Sequence, residues 1–526
     1  MRMIQNWRAK RRTKSRARKQ KKGTIRAGAM ATKPADGQSE SSTLSIFIND
    51  FTDSDNEASA EVWAWGLEQN PSVKGIYIAE PRWVNLGYYM TSNDFGSCIK
   101  LVDNLPSNMK GKDPPLTTVL AGRMTPDIIK EIDNSSIQLE KKERDLLLRC
   151  IRPESGRRDN RDDSINHARL LAMDYLTTMR ARCKRFDSYL DVSCLDQLQI
   201  PINLKTHYHE ELIARTADEL GAFRKIMETP TDDEKVIERR KIELREWYSK
   251  ALDRKKNEFG GEYPMEDLDY DRLMDEIRRH DKTIAFGGAS LTVLQQILKK
   301  EPGLGKKIEY YQQGGTSDSN LNILGNPYNF ALNAKAAKYI LCDNYDKLAK
   351  LTLIPTDTTK KVEWTVSGLA KLSPAVGVRS LAFHGRYDPW DMISPKERSS
   401  GSTKTDEFMA WRSEWVDDPK YKIARSYKAV MADLTAFLVA FTPAFDKFET
   451  EQGVLERYSV KVVIKAKEDS TQMTWERNDQ SSIQCLMLGF PSGTSPDTPA
   501  GQETVLVDQN ALAIVESALK TISPTT

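Results

Sequence analysis

The chain has 526 residues, 39% of them apolar and 29% charged, with a net charge of +3. That is too apolar for a wholly disordered chain, and no run of about 18 apolar residues marks a membrane span. Six cysteines (Cys98, Cys150, Cys183, Cys194, Cys342 and Cys485) form no CxxC pair, which argues against a zinc ribbon or a disulfide scaffold. The chain reads as intracellular, cytoplasmic or nuclear.

The charge is unevenly spread. Residues 1–33 hold 13 Lys and Arg and no acid, so the remainder carries 65 basic against 75 acidic residues. Residues 1–43 read as a basic, disordered tail. It offers weak nucleic-acid binding or a nuclear signal, or is absent from a product that starts at Met30. An acidic body argues against nucleic acid as the main ligand.

In chain order, Leu44–Ile48 is an apolar strand that runs into an acidic turn, Asn49-Asp50-Phe51-Thr52-Asp53-Ser54-Asp55-Asn56, which opens a helix with Ala58, Val62, Trp63 and Leu67 inward. Val73–Ala79 is a second strand, residues 93–104 a helix and Thr117–Ala121 a third strand. Residues 125–280 are dense in charge with apolar residues at helical spacing, and read as a helical insertion that splits one α/β domain into residues 44–124 and 281–526. Strands at Thr283–Gly288 and Ile308–Tyr311 alternate with helices at Leu291–Lys300 and Ala334–Leu341. A helix at Tyr427–Phe441, strands at Val460–Ile464 and Thr504–Val507, and a closing helix at Gln509–Ile522 complete the chain. The predicted fold class is α/β, a mostly parallel sheet flanked by helices, with an inserted all-α subdomain.

Ligand sites of parallel sheets form at the carboxyl ends of strands. The oxygens of Asp50, Asp53, Asp55 and Asn56 gather at one such end and suit a hard cation such as Ca²⁺ or Mg²⁺; the same residues also suit a solvated helix cap.

Four segments, in order, resemble the inosine/uridine-preferring nucleoside hydrolase family. The acidic turn is similar to its D-x-D-x-x-x-D-D loop. Gly287-Gly288-Ala289-Ser290-Leu291-Thr292 is similar to its G-P-L-T-N segment. Gly314-Gly315 with Tyr328-Asn329-Phe330 and Ala334-Lys335-Ala336-Ala337 is similar to its M-G-G and E-F-N stretch. His384-Gly385-Arg386-Tyr387-Asp388-Pro389 is similar to its H-D-P. The resemblance implies a Rossmann-like core and a Ca²⁺-assisted attack of water on ribose C1′ of a nucleoside or other ribosyl substrate, in a homodimer or tetramer. It implies a metal held by Asp50, Asp55, Asn56, Thr292 through its carbonyl, and Asp388, with Asp50 as general base. It places Asn329, and at looser spacing Asn85, on the ribose. Tyr328, His384 and Tyr387 stand where a leaving base would be stacked or protonated, and Trp390 lines the pocket. This chain departs from the family pattern at Pro327, in place of the glutamate of E-F-N, and at Tyr387, in place of the histidine of H-D-P. A catalytically degenerate scaffold that binds a ligand without turnover is the alternative.

Overall fold

The computed structural model describes residues 42–50, 54–84, 140–141, 161–197, 213, 217–227, 233–316, 323, 328–373, 375–377, 380, 428–450, 453–466, 473–489, 505–507 and 511–521. The chain divides into two units between Glu40 and Ser41, and the described elements all belong to the second. The basic tail, the helix at 93–104 and the strand at Thr117–Ala121 lie outside the described residues.

In chain order the elements are β1 (Thr43–Asn49), α1 (Ser54–Gln69), β2 (Val73–Ala79), α2 (Arg161–Arg182), β3 (Phe186–Leu190), α3 (Ala217–Met227), α4 (Glu234–Glu258), β4 (Glu266–Asp267), α5 (Tyr270–Arg279), β5 (Lys282–Gly288) and α6 (Thr292–Lys300). There follow β6 (Ile308–Gln313), α7 (Tyr328–Leu332), α8 (Ala334–Lys338), β7 (Lys350–Ile354), β8 (Val362–Thr365), α9 (Val366–Leu372), β9 (Lys428–Ala429) and α10 (Ala432–Phe441). The last are β10 (Lys447–Thr450), β11 (Gly453–Ala466), β12 (Met473–Arg477), β13 (Ile483–Gly489), β14 (Val505–Val507) and α11 (Ala511–Thr521).

The large sheet runs β10-β11-β13-β7-β6-β5-β1-β2-β3-β4, with β12 also on β11. The pairs from β13 to β4 are parallel, and β11 pairs antiparallel with β10, β12 and β13. A second sheet has the order β14-β8-β9. The chain is therefore α/β, as expected. From β1 it steps outward through β2, β3 and β4, then returns to β5 on the other side of β1 and steps the opposite way through β6 and β7. The sheet reverses direction between β1 and β5, and such a switch point opens a crevice beyond the strand ends.

Both faces of the sheet are covered, as a parallel sheet requires. Phe47, Tyr77 and Phe286 pack on one face with Trp63 of α1 and Phe437 of α10; the Phe47 ring lies 5.3 Å from Phe286, 5.5 Å from Trp63 and 5.8 Å from Phe437. Ile46, Ile48, Ile78 and Ala285 alternate to the other face, against Val293, Leu294 and Ile297 of α6 and Ile277 of α5. Strand alternation thus assigns each residue to one of two helical layers.

The segment 125–280, read from sequence as all-helical, contributes β3 and β4 to the main sheet. Its helix α2 packs in the same core as α1, and Phe186 meets Trp63 edge-on at 5.4 Å. The strand escapes a sequence reading because it is five residues long, with Lys184 and Arg185 before it and Asp187 within it. Its partner β2 supplies the constraint that sequence lacks. At Gly75 a Cβ atom would fall 2.9 Å from the Cβ of Phe186 and closer still to the Leu67 side chain, so the two strands and α1 meet only over a glycine. Gly75→Ala is expected to destabilise the protein by about 1–3 kcal/mol, the usual effect of overpacking, seen as a lowered urea midpoint at unchanged m-value.

Candidate functional site

The cluster of buried polar groups beyond β1 and β5 is built from strand ends and helix starts. The β1–β2 ladder is extended by the Glu80 amide, which donates to the Asn49 carbonyl at 2.7 Å, and the Asp191 amide donates to the Ala79 carbonyl at 2.9 Å. Asp50, Glu80 and Asp191 thereby stand in a row at the carboxyl ends of β1, β2 and β3. The Asn49 side-chain amide donates to the Asn56 carbonyl at 2.8 Å and ties the strand end to the start of α1.

The first residues of α1, Ser54, Asp55, Asn56 and Glu57, are all buried. A solvated helix cap does not bury its acids. The N-terminus of α10 meets Ser54, Asp55 and Asn56, while the Thr178 hydroxyl of α2 donates to Glu57. The Asp433 amide donates to Asp55 Oδ2 at 3.0 Å, and the Asn56 side-chain amide donates to Asp433 Oδ2. Two helix N-termini face each other across two carboxylates, and each dipole favours the negative charge. Gly288, at the end of β5, makes room, since a Cβ there would lie 2.9 Å from Asp433 Oδ2.

Asp50 is 2% exposed and ion-paired with Arg82, itself 4% exposed. Removing one partner of such a pair strands a buried charge, at a cost of about 3–5 kcal/mol.

Glu80 is fully buried and solves the same problem by holding a proton. Its Oε2 accepts from the Ser290 amide at 3.1 Å and the Ser290 hydroxyl at 2.7 Å, and the Val293 amide also donates to the carboxyl. Burial pushes the carboxyl up to about 8, against the lowering effect of the Ser290 hydrogen bonds, with the Asp191 charge adding to the rise. Because the Ser290 hydroxyl proton goes to Glu80, the 2.6 Å contact between Ser290 and Thr292 has Thr292 as donor, and Asn333 donates in turn to the Thr292 hydroxyl at 3.0 Å. One directed chain, Asn333 to Thr292 to Ser290, ends on Glu80 Oε2.

Around Glu80 lie further polar groups. Burial raises the carboxyl of Asp191, which accepts from Ser193 and, at 2.6 Å, from the Tyr270 hydroxyl. The Cys194 thiol is pushed well up by burial and by Asp191 and Glu80, with Arg82 opposing. The Tyr310 hydroxyl and Gln312 Oε1 have no hydrogen-bond partner among the described residues. Unsatisfied buried polar atoms at a strand-end crevice point to a ligand that supplies hydroxyls or amides. Gln312 is held by donating to the Ala289 and Gln313 carbonyls at 2.9 and 2.7 Å, and Asn329 donates to Gln313 Oε1 at 2.6 Å. Gly314 and Gly315, with φ of 146° and 94°, turn the chain after β6 in a conformation suited to glycine.

Of the residues singled out from sequence, Asp50, Asp55, Asn56 and Thr292 are brought together at the switch point, and Asn329 stands at the end of β6. Tyr328 opens α7. Asn85, His384, Tyr387, Asp388 and Trp390 lie outside the described residues. Sequence reasoning missed Glu80, Arg82, Asp191 and Asp433. The signal for Glu80 was available, because an acid directly follows the apolar strand Val73–Ala79. Asp433 had only its place in the first turn of a strongly apolar helix.

Among the described residues, the side-chain oxygens that the sequence assigned to a calcium ion are engaged by other groups, while Asp388 lies outside the described residues. Asp50 is engaged by Arg82, Asp55 by the Asp433 amide and Asp433 by the Asn56 amide, and no group of three or more His, Cys, Asp or Glu among the described residues is arranged to hold a metal.

No protein-family model matches the chain, and no curated protein matches it. Solved structures do. An inosine-uridine preferring nucleoside hydrolase from Bacillus anthracis aligns over 91% of this chain and 99% of its own, at 9% identity and a TM-score of 0.39. An inosine-guanosine nucleoside hydrolase aligns over 91% and 98%, at 11% identity and a TM-score of 0.34. The type III effector protein XopQ, solved with adenosine diphosphate ribose, aligns over 92% and 93%, at 10% identity and a TM-score of 0.36. These are likenesses of fold. Among the described residues, no helix is long and apolar enough to cross a membrane.

The raised Glu80 carboxyl has a consequence for stability. The native state holds this proton up to about pH 8, whereas the unfolded chain releases it near the ordinary glutamate value of 4.5. The native state binds more protons across that interval, so this residue's effect is a stability that falls as pH rises from about 4.5 to about 8. In Glu80→Gln that component of the pH dependence is expected to vanish, measured as urea midpoints across the interval.

Proposed function

We propose that the chain is an N-ribosyl hydrolase of the nucleoside hydrolase type, with its site at the β1/β5 switch point. The observation that supports this reading is Glu80, a buried carboxyl that keeps its proton at neutral pH beside a group of buried acids. N-glycosidic cleavage passes through an oxocarbenium-like transition state and asks for two kinds of carboxyl group, one protonated to assist the leaving group and one ionised to face the developing positive charge.

Glu80 donates its proton to the departing base as the bond from C1′ to nitrogen breaks. Asp50, Asp55 and Asp433 supply the negative field, and one of them takes the proton of the water whose oxygen bonds to C1′. Asn329 and the orphaned groups of Tyr310 and Gln312 meet the ribose hydroxyls. The proton passed to the carboxylates returns to Glu80 through solvent when products leave, and every atom is accounted for as free base and ribose.

Incubating the protein with purine and pyrimidine ribonucleosides is expected to release base and ribose, with Glu80→Gln lowering kcat by about 10²–10⁴-fold, the usual contribution of a positioned proton donor. Activity is expected to fall as pH rises past about 8, where Glu80 loses its proton, and that limb is absent from the residual activity of the variant. No release from any ribonucleoside overturns the hydrolase reading.

A second reading, a ribosyl-binding scaffold without turnover, is favoured by the Asp50–Arg82 ion pair, which engages the residue expected from sequence as general base. It predicts that calorimetry detects binding of intact nucleoside while no ribose is released.

A further inference from the structure

We propose that the Arg82 guanidinium is the resident cation of this site and stands where a divalent metal would otherwise sit, so that the site works without a metal ion. The proposal concerns the same crevice as the reading above, but its test does not depend on turnover.

Three observations support it. The first is position. Arg82 follows β2 by three residues and reaches across to Asp50 at the end of the neighbouring β1, over the carboxyl ends of the parallel strands. The second is burial. Both partners are almost fully withdrawn from solvent. The other buried cations among the described residues, Arg240 and Lys255, both belong to α4. The third is the state of the remaining oxygens. The Asp55 and Asp433 carboxylates accept from internal amides, so the cluster is arranged around hydrogen-bond donors.

Charge explains why the two solutions exclude each other. Buried carboxylates need a compensating positive charge. A guanidinium supplies it permanently, since it does not lose its proton in proteins, and it takes carboxylate oxygens in the geometry of its own N–H groups. A divalent ion bound to the same Asp50 oxygens would face the guanidinium at close range, and the repulsion would expel one of them. Removing the guanidinium therefore leaves an unneutralised, oxygen-rich crevice formed by Asp50, Asp55 and Asp433, with Asn56 beside them. Such a set suits a hard cation.

The test is a calcium titration of the full-length protein and of Arg82→Gln, read by calorimetry and by the shift in Tm. The wild type is expected to bind no calcium up to about 1 mM, the weak end of calcium-binding modules, and to keep its Tm in chelator. Arg82→Gln is expected to gain a calcium site, with its Tm raised by several degrees on adding the ion, and Arg82→Lys, which keeps the charge, is expected to gain none. If Arg82→Gln folds only when calcium is present, that dependence also supports the proposal. Micromolar calcium binding by the wild type overturns it, as does a folded Arg82→Gln that binds no calcium. The nucleoside assay is scored separately. A protein that releases ribose and needs calcium defeats this inference and leaves the hydrolase reading standing, and a calcium-indifferent protein that releases no ribose does the reverse.

Discussion

A carboxylate taken out of water must be paired, hydrogen-bonded or protonated, and the crevice over β1 and β5 contains all three solutions side by side. Asp50 is paired with Arg82, Asp55 and Asp433 accept amide hydrogen bonds at the mouths of two helices, and Glu80 keeps its proton. The rest of the site is arranged to make these solutions possible. The Asn333–Thr292–Ser290 chain exists to satisfy one oxygen of Glu80, and Gly288 is bare because Asp433 needs the space. A set of acids this dense would be self-repelling if all its members were ionised and unpaired.

The sheet supplies the place where such a set is useful. Because the strand order reverses between β1 and β5, the chain leaves these two strands toward opposite edges of the sheet. Strands buried on both faces hold the site rigid from below. The aromatic packing of Phe47, Phe286, Trp63 and Phe437 anchors α1 and α10, the two helices whose first turns meet over it. A proton donor and a negative field are worth most when fixed in advance and shielded from water.

The two central features divide the chemistry between them. Arg82 balances the static charge of the cluster, and Glu80 holds the exchangeable proton. In a site that used a metal, one ion would balance charge and activate water together. With Arg82 as the proposed resident cation, the balancing charge would be covalently part of the chain and a chelator would not remove it.

The sequence by itself determined the elements whose signal is local. An apolar run closed by acids announced β1 and the start of α1, and the alternation of strands with helices of 3.6-residue period announced a parallel α/β sheet. Asp50, Asp55 and Asn56 stood out because they cluster in an acidic turn between a strand and a helix, and Thr292 only through its resemblance to a family segment. Only the tertiary structure decided the partners. Asp433 meets Asp55 across 378 residues of chain, and Arg82 meets Asp50 across a strand pair. Glu80 keeps its proton because burial raises its carboxyl, while Ser290, 210 residues away, hydrogen-bonds one of its oxygens. A short charged strand, β3, joined the sheet because β2 and Gly75 left it a place. Periodicity and motif spacing report what a residue does to its own segment. The charge and protonation of a buried acid depend on which segments fold around it, and that is a property of the packed molecule alone.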